Sequence, residues 1–252
     1  MPIPTEPKRI RLDIRLTRMG AANSRARARD AIARGAVRVN GRVARKPGAP
    51  VGAADIVEIE DDGRTYVSRA ALKLIAGLDH FKLDPAGRET LDIGASTGGF
   101  TQVMLERGAA HVTAIDVGHG QIDPSLAADR RVTNLERVNA RDLSAGLLGG
   151  RHITALVSDV SFISLKLALP PALDLSAPGC FCVVLVKPQF EVGRAAIGKG
   201  GIVRDLGLAQ RAAEDIERWL DAQPNWHSLG LCPSPIEGGD GNREYLLGGL
   251  KA

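Results

Sequence analysis

Apolar residues near the start of the chain recur with helical spacing. Leu12, Leu16 and Met19 lie four and then three positions apart, which predicts a helix with one buried face. An arginine stands one position before each of them, so the same helix carries a basic row. Gly20 is expected to end this helix. The alternation of arginine and alanine over residues 25–34 predicts a second short helix with almost no bulky apolar residue.

A two-residue alternation, which is typical of strands, follows the second helix. Residues 37–43 alternate apolar and polar positions around Asn40 and Gly41. An Asn-Gly pair predicts a hairpin because a type I′ turn needs positive φ at both central positions. A further strand is predicted over residues 56–60. The first sixty residues therefore indicate a small α+β domain.

From residue 68 onward, apolar runs of strand length alternate with amphipathic helices. The first helix has an apolar stripe formed by Ala71, Leu74, Leu78 and Phe81. The predicted strands span residues 90–93, 111–117, 132–138, 155–160, 181–186, 227–232 and 245–247, with helices around 100–107, 164–169 and 206–220. This order predicts an α/β fold with a parallel, Rossmann-like sheet. The expected segments are a small domain over residues 1–60, a linker over 61–67 and a large domain over 68–252.

Composition narrows the class of protein. The chain has 252 residues, of which 44% are hydrophobic. Its apolar run over residues 181–186 is far shorter than the roughly 18 to 20 residues of a membrane-spanning helix, so no membrane partner is expected. The first residues lack the pattern of a secretory signal, which predicts a cytoplasmic protein. The three cysteines indicate neither a disulfide framework nor a metal site.

The positive charge is concentrated in the first domain. Residues 1–60 contain 13 of the 33 Lys and Arg residues and 6 of the 29 Asp and Glu residues, which gives a net charge of +7. The remaining residues sum to −3. This density suggests a polyanion as partner. Composition alone leaves open the alternative that the basic side chains form a solvated face.

The order of elements in the first domain resembles a known RNA-binding module. Its runs R-L-D-I-R-L and G-A-V-R-V-N-G-R-V are similar to the module that a small-subunit ribosomal protein shares with pseudouridine synthases and tyrosyl-tRNA synthetases. The resemblance implies contact with the shape and phosphates of structured RNA. The alternative is a basic domain that only packs on its neighbour. The candidate RNA-binding residues are Arg11, Arg15, Arg18, Arg25, Arg27, Arg29, Arg34, Arg38 and Arg42.

A glycine-rich turn follows the first predicted strand of the large domain. The run L-D-I-G-A-S-T-G-G-F at residues 91–100 lets the backbone approach a ligand. It is neither the G-x-G-x-x-G of dinucleotide-binding proteins nor a P-loop. It resembles the first motif of S-adenosylmethionine-dependent methyltransferases, D-x-G-x-x-x-G-G-F. The resemblance implies cofactor contacts from Asp92, Gly94, Ser96, Thr97, Gly98, Gly99 and Phe100.

Two acids follow the next two strands. In the same resemblance Asp116 would meet the cofactor ribose and Asp142 would lie near its adenine. Taken singly, either could be an ordinary loop acid, but their succession on adjacent strands favours a binding site. Phe162 either lines the cofactor or a stacked base, or is a core phenylalanine.

Two charged residues follow buried strands and are candidates for chemistry. Asp159 and Lys187 come at the carboxyl ends of neighbouring predicted strands. Because an unpaired buried charge is costly, we expect the two side chains to pair. A purely structural ion pair is the alternative. On physical grounds alone Glu244 would be a lone surface glutamate, and Lys73 would be a solvated lysine on the polar side of its helix.

Four motifs change that interpretation. The segments around Lys73, Asp159, Lys187 and Glu244 resemble the Lys-Asp-Lys-Glu tetrad of FtsJ-type ribose 2′-O-methyltransferases. With the first domain, they resemble the TlyA, or haemolysin A, family of ribosomal-RNA methyltransferases over essentially the whole chain. The resemblance implies a class I methyltransferase sheet and no metal. It also implies that Lys187 accepts the proton of the ribose 2′-hydroxyl and that Asp159 holds the Lys187 amine. Lys73 and Glu244 would orient the ribose.

The implied function is methylation of ribose 2′-oxygens, with cytidine as the expected base. S-adenosylmethionine would be the cofactor, and ribosomal RNA or a ribosomal subunit the partner of a monomeric enzyme. A non-catalytic RNA-binding or ribosome-assembly factor is the alternative, disfavoured because the tetrad and the glycine turn are complete. Pore formation, suggested by the family's older name, lacks a suitable apolar segment. The sequence leaves the ribosomal subunit and the nucleotide open.

Overall fold

Residues 9–22, 25–33, 35–59, 66–193, 196–198, 200–238 and 241–252 are described by a computed structural model. The chain divides into two units, Met1–Thr65 and Tyr66–Ala252. Residues 61–65 of the predicted linker lie outside the described residues, as do Arg34 and the side chain of Arg27.

The first unit combines two helices with short antiparallel strands. The elements are β1 (Ile10–Arg11), α1 (Leu12–Arg18), α2 (Arg25–Ala33), β2 (Val37–Val39), β3 (Arg42–Val43), β4 (Pro50–Val51) and β5 (Val57–Ile59). Strand β1 pairs with β4, and β2 lies between β3 and β5. Leu12, Leu16 and Ile32 are fully buried between the helices and strands. Met19 lies beyond the end of α1 and is about half exposed, so it does not extend the predicted apolar face.

The predicted hairpin is present. Asn40 and Gly41 connect β2 to β3 with φ values of 51° and 76°. Both values are positive, as the type I′ turn requires, so the local prediction is confirmed.

The second unit is a seven-stranded sheet with helices on both faces. Its elements are α3 (Ala70–Phe81), β6 (Glu89–Ile93), α4 (Gly99–Glu106), β7 (His111–Asp116), α5 (Pro124–Ala127), β8 (Val132–Glu136), a 3₁₀ turn (Ala140–Asp142), β9 (Ile153–Ser158), α6 (Leu165–Ala168), α7 (Pro170–Leu175), β10 (Ser176–Val186), α8 (Pro188–Glu191), α9 (Leu206–Asp221), β11 (Trp226–Pro233) and β12 (Tyr245–Lys251). Three of the short helices begin with a proline, whose missing N–H costs nothing at the first helical position.

The strand order determines where a ligand can bind. The order is β11-β12-β10-β9-β6-β7-β8. Strands β6 to β10 are parallel to one another, whereas β12 is antiparallel to both of its neighbours, β10 and β11. The predicted α/β class is therefore confirmed, with one antiparallel strand that the sequence pattern did not predict. Chain connections diverge on either side of β6, so the carboxyl ends of β6, β7 and β9 form the expected binding crevice.

The sheet separates two apolar cores. Residues of α3 and α4, such as Leu74 and Met104, pack on one face of the sheet. Residues of α7 and α9, such as Leu173 and Ile216, pack on the other. Within the described residues, no helix has both the length and the apolar content to cross a bilayer.

Candidate active site

The glycine turn between β6 and α4 is tightly enclosed. Gly94 and Gly98 have φ values of 82° and 93°, which side chains rarely tolerate. A Cβ atom on Gly94 would lie 2.9 Å from the backbone oxygen of Asp159, and one on Gly98 would lie 2.4 Å from Leu126 Cδ1. Gly94 is therefore required for both conformation and space, whereas Gly98 is required for conformation and a Cβ there would displace the Leu126 side chain.

Two adjacent cavities open at the carboxyl ends of the parallel strands. The large cavity has a volume of about 490 Å³ and the small cavity about 140 Å³. Gly94, Ser96, Asp159 and Ser161 line both, so the cavities share a wall. Of the predicted cofactor residues, Asp116 and Phe162 line the large cavity, and Thr97, Gly99 and Phe100 line the small one.

Asp116, at the end of β7, is held in place by backbone groups. Its carboxylate accepts hydrogen bonds from Ser96 N at 2.8 Å and from Gly118 N at 2.7 Å. The glycine turn and the segment after β7 are therefore linked through one side chain. Sequence reasoning missed Val117 and Gln121, which line the large cavity directly after it.

Asp92 lies behind the glycine turn and lines neither cavity. Its side chain is fully buried, and Thr101 Oγ1 donates a 2.6 Å hydrogen bond to its Oδ2. Burial, helped by the nearby carboxylates of Asp159 and Asp116 and opposed by the hydrogen bond from Thr101, raises the pKa of Asp92 to about 7. Asp92 therefore links β6 to α4 on either side of the glycine turn through Thr101. It lacks the direct cofactor contact that the motif implied.

Asp142 is also not brought to the cavities. It is exposed at the end of the 3₁₀ turn, because the Asn139 side chain accepts a hydrogen bond from Arg141 N and starts that turn early. Val138, Asn139 and Ala140 line the large cavity instead. Asn139, a good capping residue just after a strand, is the sequence signal that would have indicated this arrangement.

Asp159 and Lys187 form the contact that was expected of them. Lys187 Nζ lies 2.6 Å from Asp159 Oδ1 and donates a 2.7 Å hydrogen bond to Ser161 Oγ. Strands β9 and β10 are parallel neighbours, so their carboxyl ends bring the two side chains together. Both side chains are largely buried and line the small cavity.

Lys73 and Glu244 form a second ion pair, which sequence reasoning from physical grounds did not predict. Lys73 is 7% exposed and Glu244 is 5% exposed, so neither is the solvated residue expected from its local pattern. Lys73 Nζ donates a short hydrogen bond to Glu244 Oε2. The pair forms because α3 packs against β12, and Glu244 immediately precedes that strand.

Phe162 is not a core residue. Its side chain is 91% exposed at the rim of the large cavity, and its φ of 66° is unusual for a bulky residue. The ring lies 5.3 Å from that of Phe190. The alternative of a buried phenylalanine is therefore excluded.

In the first unit, one buried acid organises two of the predicted RNA-binding arginines. Asp13 is fully buried and accepts bonds from Arg11 Nε and Nη2 at 3.0 and 3.1 Å, and from Arg25 Nη2 at 3.1 Å. The Arg11 hydrogen bond lowers the pKa of Asp13 to about 2. Arg18, Arg29 and Arg42 are exposed, and Arg15 and Arg38 are partly exposed. Sequence reasoning missed the role of Asp13 as the partner of these arginines. Its position as an acid within a basic run is the signal that would have indicated this role.

The strand order, the glycine turn after β6 and the acid after β7 define a Rossmann-like class I methyltransferase. Comparison with family models agrees: residues 66–251 match the FtsJ-like methyltransferase model and residues 10–57 match the S4 domain. The chain belongs to the FtsJ-like methyltransferase family and carries an S4 domain ahead of the catalytic one. The resemblances to an FtsJ-type methyltransferase and to an RNA-binding module are confirmed, whereas the roles of the individual site residues stay predictions.

Relatives extend this similarity over the whole chain. The 16S/23S rRNA (cytidine-2′-O)-methyltransferase TlyA of Mycobacterium tuberculosis is 46% identical over 95% of this chain and 89% of its own length. Hemolysin A of Brachyspira hyodysenteriae is 37% identical over 94% of this chain and 98% of its own. A solved structure from Streptococcus thermophilus that bears the name hemolysin is 37% identical, with a TM-score of 0.77 over 97% of this chain and 89% of that one.

Proposed function

We propose that the protein transfers a methyl group from S-adenosylmethionine to the ribose 2′-hydroxyl of cytidine in ribosomal RNA. The observation that carries this proposal is the Asp159–Lys187 contact at the wall between the two cavities. The substrate class comes from the M. tuberculosis relative, whose name specifies cytidine 2′-O-methylation of 16S and 23S rRNA. A ribosomal substrate would be met in the cytoplasm.

The residues of the large cavity fit S-adenosylmethionine. A volume of about 490 Å³ lies within the roughly 300–1,000 Å³ usual for small-molecule sites. Asp116 uses two of its roughly four acceptor positions for backbone N–H groups, so the others can accept ribose hydroxyls. Val117 and Val138 offer apolar surface to adenine. When bound, the cofactor supplies a methyl group already activated by the sulfonium charge.

The remaining chemistry belongs to the small cavity. A ribose hydroxyl is a poor nucleophile until a base removes its proton. Lys187 Nζ lies where it can accept that proton, and Asp159 keeps the amine at the cavity wall. As the O–H bond breaks and the proton moves to Nζ, the oxygen would form its bond to the methyl carbon while the bond from that carbon to the cofactor sulfur breaks, and the sulfur would leave as a neutral thioether. Positioning and one proton acceptor are sufficient for this reaction.

Lys73 and Glu244 would orient the ribose. Their mutual ion pair fixes both nearly buried side chains in one geometry, and neither side chain lines the large or the small cavity. A fixed ammonium and carboxylate can donate to and accept from the sugar hydroxyls, which reduces the entropy cost of alignment.

The first unit would supply affinity for RNA. Its S4 match, its net charge of +7 over residues 1–60 and its exposed arginines support contact with phosphates. None of the proposed catalytic side chains lies in this unit, so its contribution would be binding and orientation.

Ribose-methylation mapping on ribosomal RNA from cells with and without the protein tests the substrate. We expect at least one cytidine 2′-O-methyl group to disappear with the protein and to return on complementation. An unchanged methylation map would contradict the proposal.

Two variants test the proton acceptor. Lys187→Met should retain cofactor binding by calorimetry but lose methyl transfer by roughly 10²- to 10⁴-fold, the usual effect of a lost general base. Lys187→Arg should not restore transfer because a guanidinium stays protonated. Near-normal single-turnover rates in the Arg variant would show that Lys187 is only a fixed cation.

A further inference from the structure

Ser161 lies beside Lys187 but belongs to none of the four tetrad positions. It follows Asp159 by two residues in the segment after β9, and it lines both cavities. Its Oγ accepts a 2.7 Å hydrogen bond from Lys187 Nζ. Asp159 Oδ1 lies 2.6 Å from the same nitrogen in a geometry that forms no hydrogen bond, so Ser161 holds Lys187 Nζ by a hydrogen bond and Asp159 holds it by charge.

The tetrahedral geometry of the Lys187 amine nitrogen determines where its lone pair points. A neutral lysine amine has one bond to carbon, two N–H bonds and one lone pair in a tetrahedral arrangement. Ser161 Oγ accepts one N–H bond, and the negative charge of Asp159 attracts the second N–H and repels the lone pair, so the lone pair points away from both oxygens. Since Lys187 itself lines the small cavity, that direction is the one open to a substrate hydroxyl.

Asp159 alone could not impose this direction. With only the charge of Asp159 beside it, the amine can rotate about the Cε–Nζ bond and exchange its lone pair with an N–H. The hydrogen bond to Ser161 Oγ fixes one N–H and restricts that rotation. Correct alignment of a catalytic group lowers the barrier, because less orientational entropy is lost in the reaction.

We propose that Ser161 is a positioning residue that directs the lone pair of Lys187 toward the ribose 2′-hydroxyl. This inference rests on the proposed function of Lys187 as proton acceptor. When the ribose O–H bond breaks, its proton forms the third N–H bond of Lys187. The resulting ammonium keeps its hydrogen bond to Ser161 and its ion pair with Asp159, so Ser161 also stabilises the charged product of the step.

The serine can be changed without disturbing the core. Its side chain is exposed to the cavities, and Ser161→Ala removes the hydroxyl alone. Ser161→Thr retains a hydroxyl at the same position and is the conservative variant. Ser144→Ala is the matched control, since Ser144 is exposed and lines neither cavity.

The experiment measures single-turnover methylation of ribosomal RNA together with calorimetric titration of S-adenosylmethionine. Ser161→Ala should lower the maximal rate by about 10- to 100-fold, as expected for a lost hydrogen bond to a charged group. The KM for RNA and the Kd for the cofactor should stay within about twofold. Ser161→Thr should recover most of the rate, and Ser144→Ala should match the wild type.

A double-mutant cycle separates positioning from other roles. In the Lys187→Met background, Ser161→Ala should cause no further loss, because there is no amine left to direct. An additional loss there, a change confined to cofactor affinity, or a normal rate in Ser161→Ala would each overturn the inference. If the wild-type protein methylates no ribose, the proposed function itself fails. An active wild type with an equally active Ser161→Ala variant refutes only the role of Ser161.

Discussion

Ser164 Oγ donates a 2.5 Å hydrogen bond to Glu191 Oε2, which joins the segment after β9 to the segment after β10. Leu165 N donates to the other carboxylate oxygen at 2.8 Å, so Glu191 also caps the start of α6. Asp159 lies on the first of these segments and Lys187 on the second. The two proposed catalytic side chains therefore lie on segments whose far ends are linked by the hydrogen bonds of Glu191.

Removal of the hydrogen bonds accepted by Glu191 should reduce the rate of methyl transfer, although Glu191 is not proposed to contact substrate. Glu191→Ala should lower the single-turnover rate by about tenfold and destabilise the fold by about 1–3 kcal/mol, since two partly buried donors lose their acceptor. Glu191→Gln should retain most of both, because its amide can accept from Leu165 N and donate to Ser164 Oγ. Rate measurements and urea unfolding of both variants would check this. Equal losses in the two variants would contradict the expected role.

The buried carboxyl of Asp92 should make stability depend on pH. Its pKa is raised from the ordinary 3.8 to about 7 by burial, so the folded state binds the proton more tightly than the unfolded chain. This group's contribution to stability is greatest below about pH 4 and is lost as the pH rises to about 7. Asp92→Asn keeps an acceptor for Thr101 but cannot ionise.

The measurement is urea unfolding of the wild type and of Asp92→Asn between about pH 4 and pH 7. The free energy of unfolding of the wild type should fall relative to that of Asp92→Asn as the pH rises, and the difference should level off above the pKa. A constant difference at all pH values would show that Asp92 has an ordinary pKa in the folded state.

Gly98 in the glycine turn and Gly120 after β7 are two glycines with positive φ that allow a matched comparison. A Cβ atom on Gly98 would lie 2.4 Å from Leu126 Cδ1 and would displace that side chain, whereas a Cβ on Gly120, at φ 63°, would meet nothing within 4 Å. Gly120→Ala should cost only the roughly 1–2 kcal/mol of left-handed backbone. Gly98→Ala should cost about 1–3 kcal/mol more through overpacking, and should weaken binding of S-adenosylmethionine. Calorimetry and urea unfolding would distinguish the two, and equal costs would contradict the predicted clash.

In the first unit, loss of a negative charge should weaken RNA binding. Asp13→Asn makes the unit more positive, which by itself favours RNA. It also removes the carboxylate that holds Arg11 and Arg25 in place. We expect the second effect to exceed the first and the Kd for ribosomal RNA to rise several-fold. The control is Glu58→Gln, an exposed acid of β5 whose removal should leave affinity unchanged or slightly tighter.

Anisotropy titrations at two salt concentrations would measure this difference. If Asp13→Asn bound RNA as tightly as Glu58→Gln, the two arginines would need no buried partner for their function.

Features governed by nearby residues could be predicted from the sequence. The hairpin follows from Asn40 and Gly41 alone, and the Asp159–Lys187 contact follows from two buried runs that end at one edge of a parallel sheet. The burial of Lys73 could not be predicted in this way, because its partner Glu244 lies 171 positions away in the sequence. On its own helix, Lys73 has the spacing of a solvated residue.

The details of the cavity wall were similarly beyond local patterns. Asp142 was expected near the adenine because an acid follows the third parallel strand. The Asn139 cap bends the chain before that acid and turns it to solvent. The antiparallel direction of β12 was also not predicted, since alternation of apolar residues does not encode the order or direction of strands.

The position of β12 has a consequence for biosynthesis. It lies between β10 and β11, both of which are translated before it. While β12 is still in the ribosomal exit tunnel, the apolar edge of β10 has no partner, and such edges are prone to pair with other chains. Glu244 emerges just ahead of β12, so the nascent chain acquires this buried carboxylate and closes its sheet in the same late step.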